Sequence, residues 1–161
     1  MQNAKDSFYV ALRTRLAAIH PERIILLRGA VRPGIVVEEA EAPFSPLPRD
    51  VFVLRWLTLG ADTDLGSTLI AAECEIVYQT CGTQSFGGLD RGRVLSAMDS
   101  ELLAMLQPGS TPKLNFSTQP PAAMLTQVFW EEPVFTPAAT QRDLIGRTVR
   151  LRVYSYQEEG E

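Results

Sequence analysis

Apolar side chains recur along this chain with two periods, and the switches between them mark out its elements. Phe8, Leu12, Leu16 and Ile19 fall at intervals of four, four and three, one stripe of a helix, with Arg13 and Arg15 off it. Asp6 or Ser7 is the expected cap, and His20-Pro21 ends the helix because proline disfavours helical backbone in the residue before it. Arg23 to Arg28 (RIILLR) then reads as a strand, and Gly34 to Glu41 (GIVVEEAE) as another that starts apolar and leaves the core on its glutamates. The segment APFSPLPRD sets Pro43, Pro46 and Pro48 close together, which predicts an extended connection over 42–50.

Beyond it the period is two. In VFVLRWLTL, Phe52, Leu54 and Trp56 share one face, and Arg55 sits with Val53 and Leu57 on the other. GADTDLGS makes a turn, and from Ser67 to Thr80 the residues Ile70, Ala72, Cys74, Ile76 and Tyr78 alternate with Glu73, Glu75 and Gln79, as in a sheet with one buried face. QTCGTQSFGGLDRGR carries the chain from that strand into a second helix expected to be capped by Asp90. Leu95, Met98, Leu102 and Met105 form its stripe, and Pro108-Gly109 stops it. The stretch 107–127 holds several prolines and no clear period apart from a short strand at Lys113 to Ser117, so it reads as a long loop. QVFWEEPVF and RTVRLRVYSY close the pattern, the second alternating Val149, Leu151 and Val153 with Arg150, Arg152 and Tyr154; a mobile acidic tail is expected at 157–161. Helix, strands, helix, strands implies a single α+β domain over 1–161: a mixed, mostly antiparallel sheet with two helices packed on one side. Helix-connected parallel units do not recur, which argues against a doubly wound nucleotide-binding fold.

Composition narrows the function classes. The chain has 161 residues, 45% of them hydrophobic, and a net charge of −4, which fits one soluble core and argues against a basic nucleic-acid surface. No apolar run long enough to span a membrane and no secretory-type leader is visible. All the basic residues except Lys5 and Lys113 are arginines, a bias that suits protein interfaces. The two cysteines, Cys74 and Cys81, and the lone His20 fit no zinc spacing; two reduced thiols, with Cys74 on the core face, are expected, and no metal or cofactor.

The loop after Thr80 invites catalytic readings, each of which lacks a part. Its glycines could cradle a phosphate, but no Lys-Ser or Lys-Thr follows, and Asp90 sets a carboxylate where the anion would sit. Cys81 needs a base and the only histidine stands at the end of the first helix, where a solvated terminus is expected. Ser85 lies in QSFGG rather than a Gly-x-Ser-x-Gly elbow. The pairs Glu38-Glu39, Glu73/Glu75 and Glu131-Glu132 are the candidates for acid–base work, with Glu73 and Glu75 sharing a face. Arg150, Arg152, Tyr154 and Tyr156 could stack on single-stranded nucleic acid, yet their composition is more that of a protein contact or sheet cover. No catalytic set results, and the expectation is a non-enzyme.

The order of these elements resembles the tail-terminator and minor-tail-protein U family of tailed phages. The resemblance rests on the helix in DSFYVALRTRLAAI, the strand ECEIVYQT, the loop and helix GLDRGRVLSAMDSELLAML, and the closing pair around VFWEEPVF and RTVRLRVYSYQEEGE. The connection at 42–50 and the stretch after Leu106 have no counterpart in it. The resemblance implies a ring homo-oligomer, typically a hexamer, that caps the tail tube, stops its polymerisation and presents a surface to the head–tail connector, with DNA only as passing cargo. It places the protein in the virion tail or neck, and in the bacterial host cytoplasm during assembly. Phe86, Arg91, Arg93, Arg150, Arg152, Tyr154 and Tyr156 are the candidate subunit or partner contacts, Phe86 as an exposed apolar tip between glycines. The alternatives are a small-ligand-binding or hydrolytic α+β domain using the 81–88 loop, which requires a closed pocket with convergent polar groups, and another head–tail joining or tube protein.

Overall fold

The computed structural model describes residues 1–41, 46–63 and 68–158. Helix α1 (Gln2–Ile19) leads into the hairpin β1 (Ile24–Leu27) and β2 (Ala30–Pro33), then β3 (Ile35–Val37) and a single helical turn α2 (Glu38–Glu41). The long strands β4 (Phe52–Asp62) and β5 (Leu69–Thr80) follow, then α3 (Arg91–Met105). The chain closes with β6 (Gly109–Asn115), β7 (Ala122–Trp130), β8 (Val134–Phe135), β9 (Ala139–Gln141) and β10 (Leu144–Tyr156). The main sheet runs β3-β4-β5-β10-β7-β6. Among the described residues only β3 and β4 pair in parallel, so the fold is α+β with a mixed, mostly antiparallel sheet.

The two-residue alternation builds its centre. β5 and β10 pair continuously from Thr80–Ile145 to Leu69–Tyr156, with Ala72, Cys74, Ile76 and Tyr78 facing Val149, Leu151 and Val153 on one side. The other edge of β10 is shared by β7, β8 and β9. Helices α1 and α3 cover the core face, and all four residues of the α3 stripe, Leu95, Met98, Leu102 and Met105, are buried. A smaller cluster lies across the sheet, where Ile25 and Leu27 of the β1–β2 hairpin pack on Val36, Val51 and Val53.

The structure corrects several sequence expectations. The stretch 107–127 is no loop: β6 and β7 form a hairpin, with a register shift between Pro112 and Leu114. Proline hid the strand, yet Pro112 is tolerated because β6 is an edge strand and the bulge lies beside it. Helix α1 begins at Gln2, ahead of the expected caps. Ser7 is buried inside it, accepting the Leu114 N–H at 2.8 Å, and Asn3 accepts the Phe116 N–H at 3.3 Å, so the helix blunts the sheet edge. Ile19 is 45% exposed, and Ala4 joins Phe8, Leu12 and Leu16 on the buried stripe instead. GIVVEEAE changes element midway, since strand pairing to β4 ends at Val37 and the glutamates turn into α2. In the 42–50 connection, residues 42–45 lie outside the described residues and 46–50 form neither helix nor strand. The tail expectation also changes: Glu158 accepts the Leu125 and Thr126 N–H groups at 3.1 and 2.8 Å, which ties it to β7, while 159–161 lie outside the described residues.

Candidate functional site

The loop after β5 is held from within. Thr80 is fully buried, and its hydroxyl accepts the Gly82 N–H at 3.0 Å. Gly82 and Gly88 have φ of 77° and 80°, and a Cβ on them would stand 2.6 Å from the Asp90 carboxylate and 2.7 Å from the Cys81 carbonyl, so only glycine lets the loop close. Asp90 occupies the position before α3, but its carboxylate does not cap the helix. It reaches back to the Thr83 N–H at 2.9 Å and the Thr83 hydroxyl at 2.8 Å. Those two bonds hold the Asp90 carboxyl below its ordinary range. The result is a stapled 3-10 turn, Gln84–Phe86, that leaves Phe86 60% and Leu89 94% exposed.

The staple has a testable consequence. Asp90→Ala is expected to accelerate amide exchange at Thr83 and Gly88 while core amides of β5 and β10 keep their protection. The wild-type loop should loosen in acid as well. A carboxylate whose folded pKa is depressed supplies its ordering above the ordinary aspartate range and loses it as pH falls through the folded pKa. Unchanged exchange at Thr83 in the variant would show that the glycine geometry alone sets the loop.

Among the described residues, the groups named in the catalytic readings are not brought together. Cys81 is half-buried and receives the Arg49 guanidinium at 3.3 Å, whereas His20 bonds Glu101 at 2.7 Å, so thiol and imidazole are engaged elsewhere. His20 ends α1 with its side chain 38% exposed, as the sequence suggests, but with Glu101 as a partner the sequence did not indicate. Cys74 is a free thiol buried in the core, and burial, with Glu75 second, pushes its pKa up. Ser85 is exposed on the 3-10 turn. Among the described residues no group of three or more His, Cys, Asp or Glu could hold a metal ion. Around Cys81, Thr83, Gly88 and Arg91 lies an open groove of about 360 Å³.

On the outer face of the sheet Glu73, Glu75 and Glu131 each face cations or hydroxyls, as does Glu38 of α2. Glu73 accepts from the Thr58 hydroxyl at 3.0 Å and from Arg152 at 3.1 Å, and these bonds, Thr58 first, lower its pKa. Glu75 lies 3.6 Å from Arg55 and 3.8 Å from Arg150, and Glu38 pairs with Arg55. Glu131 accepts the Tyr154 hydroxyl. The lowered pKa of Glu73 opposes the neutral acid that a general-acid role needs. Tyr154 stacks on Phe129 at 5.5 Å, and Tyr156 lies 6.4 Å from the same ring.

The candidate contact residues therefore occupy two places. Phe86, Arg91 and Arg93 stand at the Thr80 end of β5, whereas Arg150, Arg152, Tyr154 and Tyr156 lie on the outer face of β10, where their heads meet Glu73, Glu75, Glu131 and Phe129. Leu89 belongs with the first group; its place just before Asp90 was the available signal. Sequence reasoning also missed the outer face of the β1–β2 hairpin, where Ile24, Leu26 and Val31 are 52, 68 and 64% exposed. The alternation within IILL, with Ile25 and Leu27 inward, carries that signal. No helix among the described residues is long and apolar enough to cross a membrane. No protein-family model matches the chain, and no curated protein matches it.

Proposed function

We propose that this chain is a non-enzymatic virion assembly protein of the tail-terminator type, which forms a ring on the end of a tail tube and offers a surface to the head–tail connector. The observation that carries the reading is the stapled loop exposing Phe86 and Leu89 beside Arg91 and Arg93. An isolated monomer gains nothing by ordering a loop around two exposed apolar side chains, whereas burial against a neighbour recovers about 1.5–3 kcal/mol for a residue of this size. Apolar tips flanked by arginine are also the usual chemistry at the centre of a protein contact. In a ring each subunit meets its neighbours through two different surfaces, and the loop supplies one of them.

Size-exclusion chromatography with light scattering, on the protein alone and with tail-tube protein, tests the reading. Rings or tube-end complexes are expected for the wild type and are lost in Phe86→Asp, which stays folded because Phe86 is exposed. A wild-type chain that never forms rings and never binds tube ends overturns the proposal. Binding along the tube or to a connector alone points to another joining role in the same assemblies.

A further inference from the structure

Four elements meet at a groove of about 340 Å³ on the side of α1. Tyr9 and Arg13 come from α1, Leu27 and Arg28 from the β1–β2 turn, Arg32 from β2, and Ala40 and Glu41 from α2. Glu41 is committed within this set: Arg32 pairs with it, and the Val37 N–H donates to it at 3.2 Å. Arg13 and Arg28 have no carboxylate partner within 4.0 Å among the described residues, so the groove carries two uncompensated guanidiniums on a chain of net charge −4.

Two details show that these guanidiniums are more than solvated surface. The Arg13 Nε–H is shielded from solvent and has no hydrogen-bond partner. The other such group among the described residues, on Arg147, faces an Asp99 carboxylate oxygen at 3.2 Å, so among them Arg13 is the one whose charge and donor are both unanswered. Its side chain is also held in place, with the guanidinium carbon 5.5 Å from the centre of the Tyr9 ring. Arg28 and Gly29 form the two-residue turn closed by the Leu27–Ala30 pair, with φ of 48° and 79°. That turn ordinarily takes Asn, Asp or Gly at its first position, and the arginine found there lines the same groove as Arg13.

We propose that this groove binds a compact oxyanion, a phosphate or a carboxylate, with Arg13 as the oriented fork and Arg28 as the second cation. Arg13 is only half-buried and lines the groove, and two coplanar N–H groups of a guanidinium match two oxygens of one anion far better than a spherical ion. The inference is independent of the ring proposal, because it rests on none of the residues of the 81–90 loop.

Titrations of the full chain with inorganic phosphate, and separately with N-acetylglutamate amide, test it, using sodium chloride at matched ionic strength as the reference. In nitrogen–proton spectra of the arginine side chains, the Arg13 Nε–H signal is expected to shift saturably with at least one of the two anions and not with chloride. Arg28→Gly folds, since glycine adopts that turn readily, and is expected to weaken binding about tenfold, the loss of one charge-assisted contact. Arg13→Lys keeps the charge but not the fork and should do the same. Arg142→Gly is the control, an arginine with φ of 57° in another turn, and should bind as wild type. Phosphate alone identifies a phosphoryl source, and the blocked glutamate alone a protein carboxylate. An Arg13 signal that follows chloride equally, or wild-type affinity in Arg28→Gly, overturns the proposal.

Discussion

Phe8→Ala should destabilise the fold by about 3–5 kcal/mol, the range for truncating a buried aromatic whose surroundings cannot collapse. Phe8 is fully buried between two indoles, edge-on to Trp56 at 5.9 Å and to Trp130 at 5.3 Å. Neither indole is free to fill the gap. The Trp130 Nε1–H donates to the Leu106 and Gln107 carbonyls at 3.3 and 3.2 Å, and Arg15 covers the ring at 4.9 Å. Trp56 is fixed by its strand and by Lys5, whose ammonium lies 5.0 Å from the ring. The cavity would open where α1 meets both β4 and β7, so one side chain holds the helix to two distant strands. Urea unfolding followed by tryptophan emission reads this directly, because the chain's two tryptophans are the two neighbours of Phe8. A lower midpoint at unchanged slope, with a red-shifted native spectrum, is expected. A loss below about 1 kcal/mol would mean that the indoles relax into the space after all.

How much of this was legible in the sequence depends on what fixes each element. The β5 strand and the α3 stripe were readable because each buries one face along its whole length, so period alone locates Cys74, Ile76, Leu95 and Met98 in the core. The β6–β7 hairpin was not, because Pro112 and the register shift erase the alternation, and the α1 side chains that accept from the β6 edge are remote from it in sequence. Phe86 stood out as an apolar residue between glycines, and the structure does leave it exposed. Asp90 was legible as a residue and not as a contact: its position says helix cap, yet two Thr83 donors on the tightly turned loop reach it. The arginine groove was invisible for a deeper reason. Arg13 and Arg28 belong to different elements, and only the packing of the hairpin against α1 and α2 brings them to one groove.

The ion cluster below the end of α1 sets the second large effect. Glu101→Ala is expected to cost about 3 kcal/mol, the lower end for leaving one member of a buried pair without its partner. Arg23 is the member left behind: its side chain is only 7% exposed, it grips both oxygens of Glu101, and it lies 5.6 Å over the Phe52 ring. It cannot swing out cheaply, since its guanidinium donates to the Asp50 carbonyl at 2.9 Å and its stem packs where a Cβ on Gly34 would come within 2.9 Å of Cγ. The cluster also predicts a pH dependence of known sign. Burial raises the Glu101 pKa, but the bonds from Arg23 and His20 outweigh it and leave the carboxyl below its ordinary value. A depressed folded pKa means that this stabilisation is present above the unfolded glutamate value, about 4.3, and is lost as pH falls through the lower folded value. Urea midpoints of wild type and variant should therefore converge in acid and separate towards neutrality. Equal spacing between them at every pH would show that Glu101 acts by packing rather than by charge. The double substitution Arg23→Met with Glu101→Leu sharpens the distinction, because replacing both partners by apolar groups removes the orphaned charge, and it should recover most of the loss seen in Glu101→Ala alone.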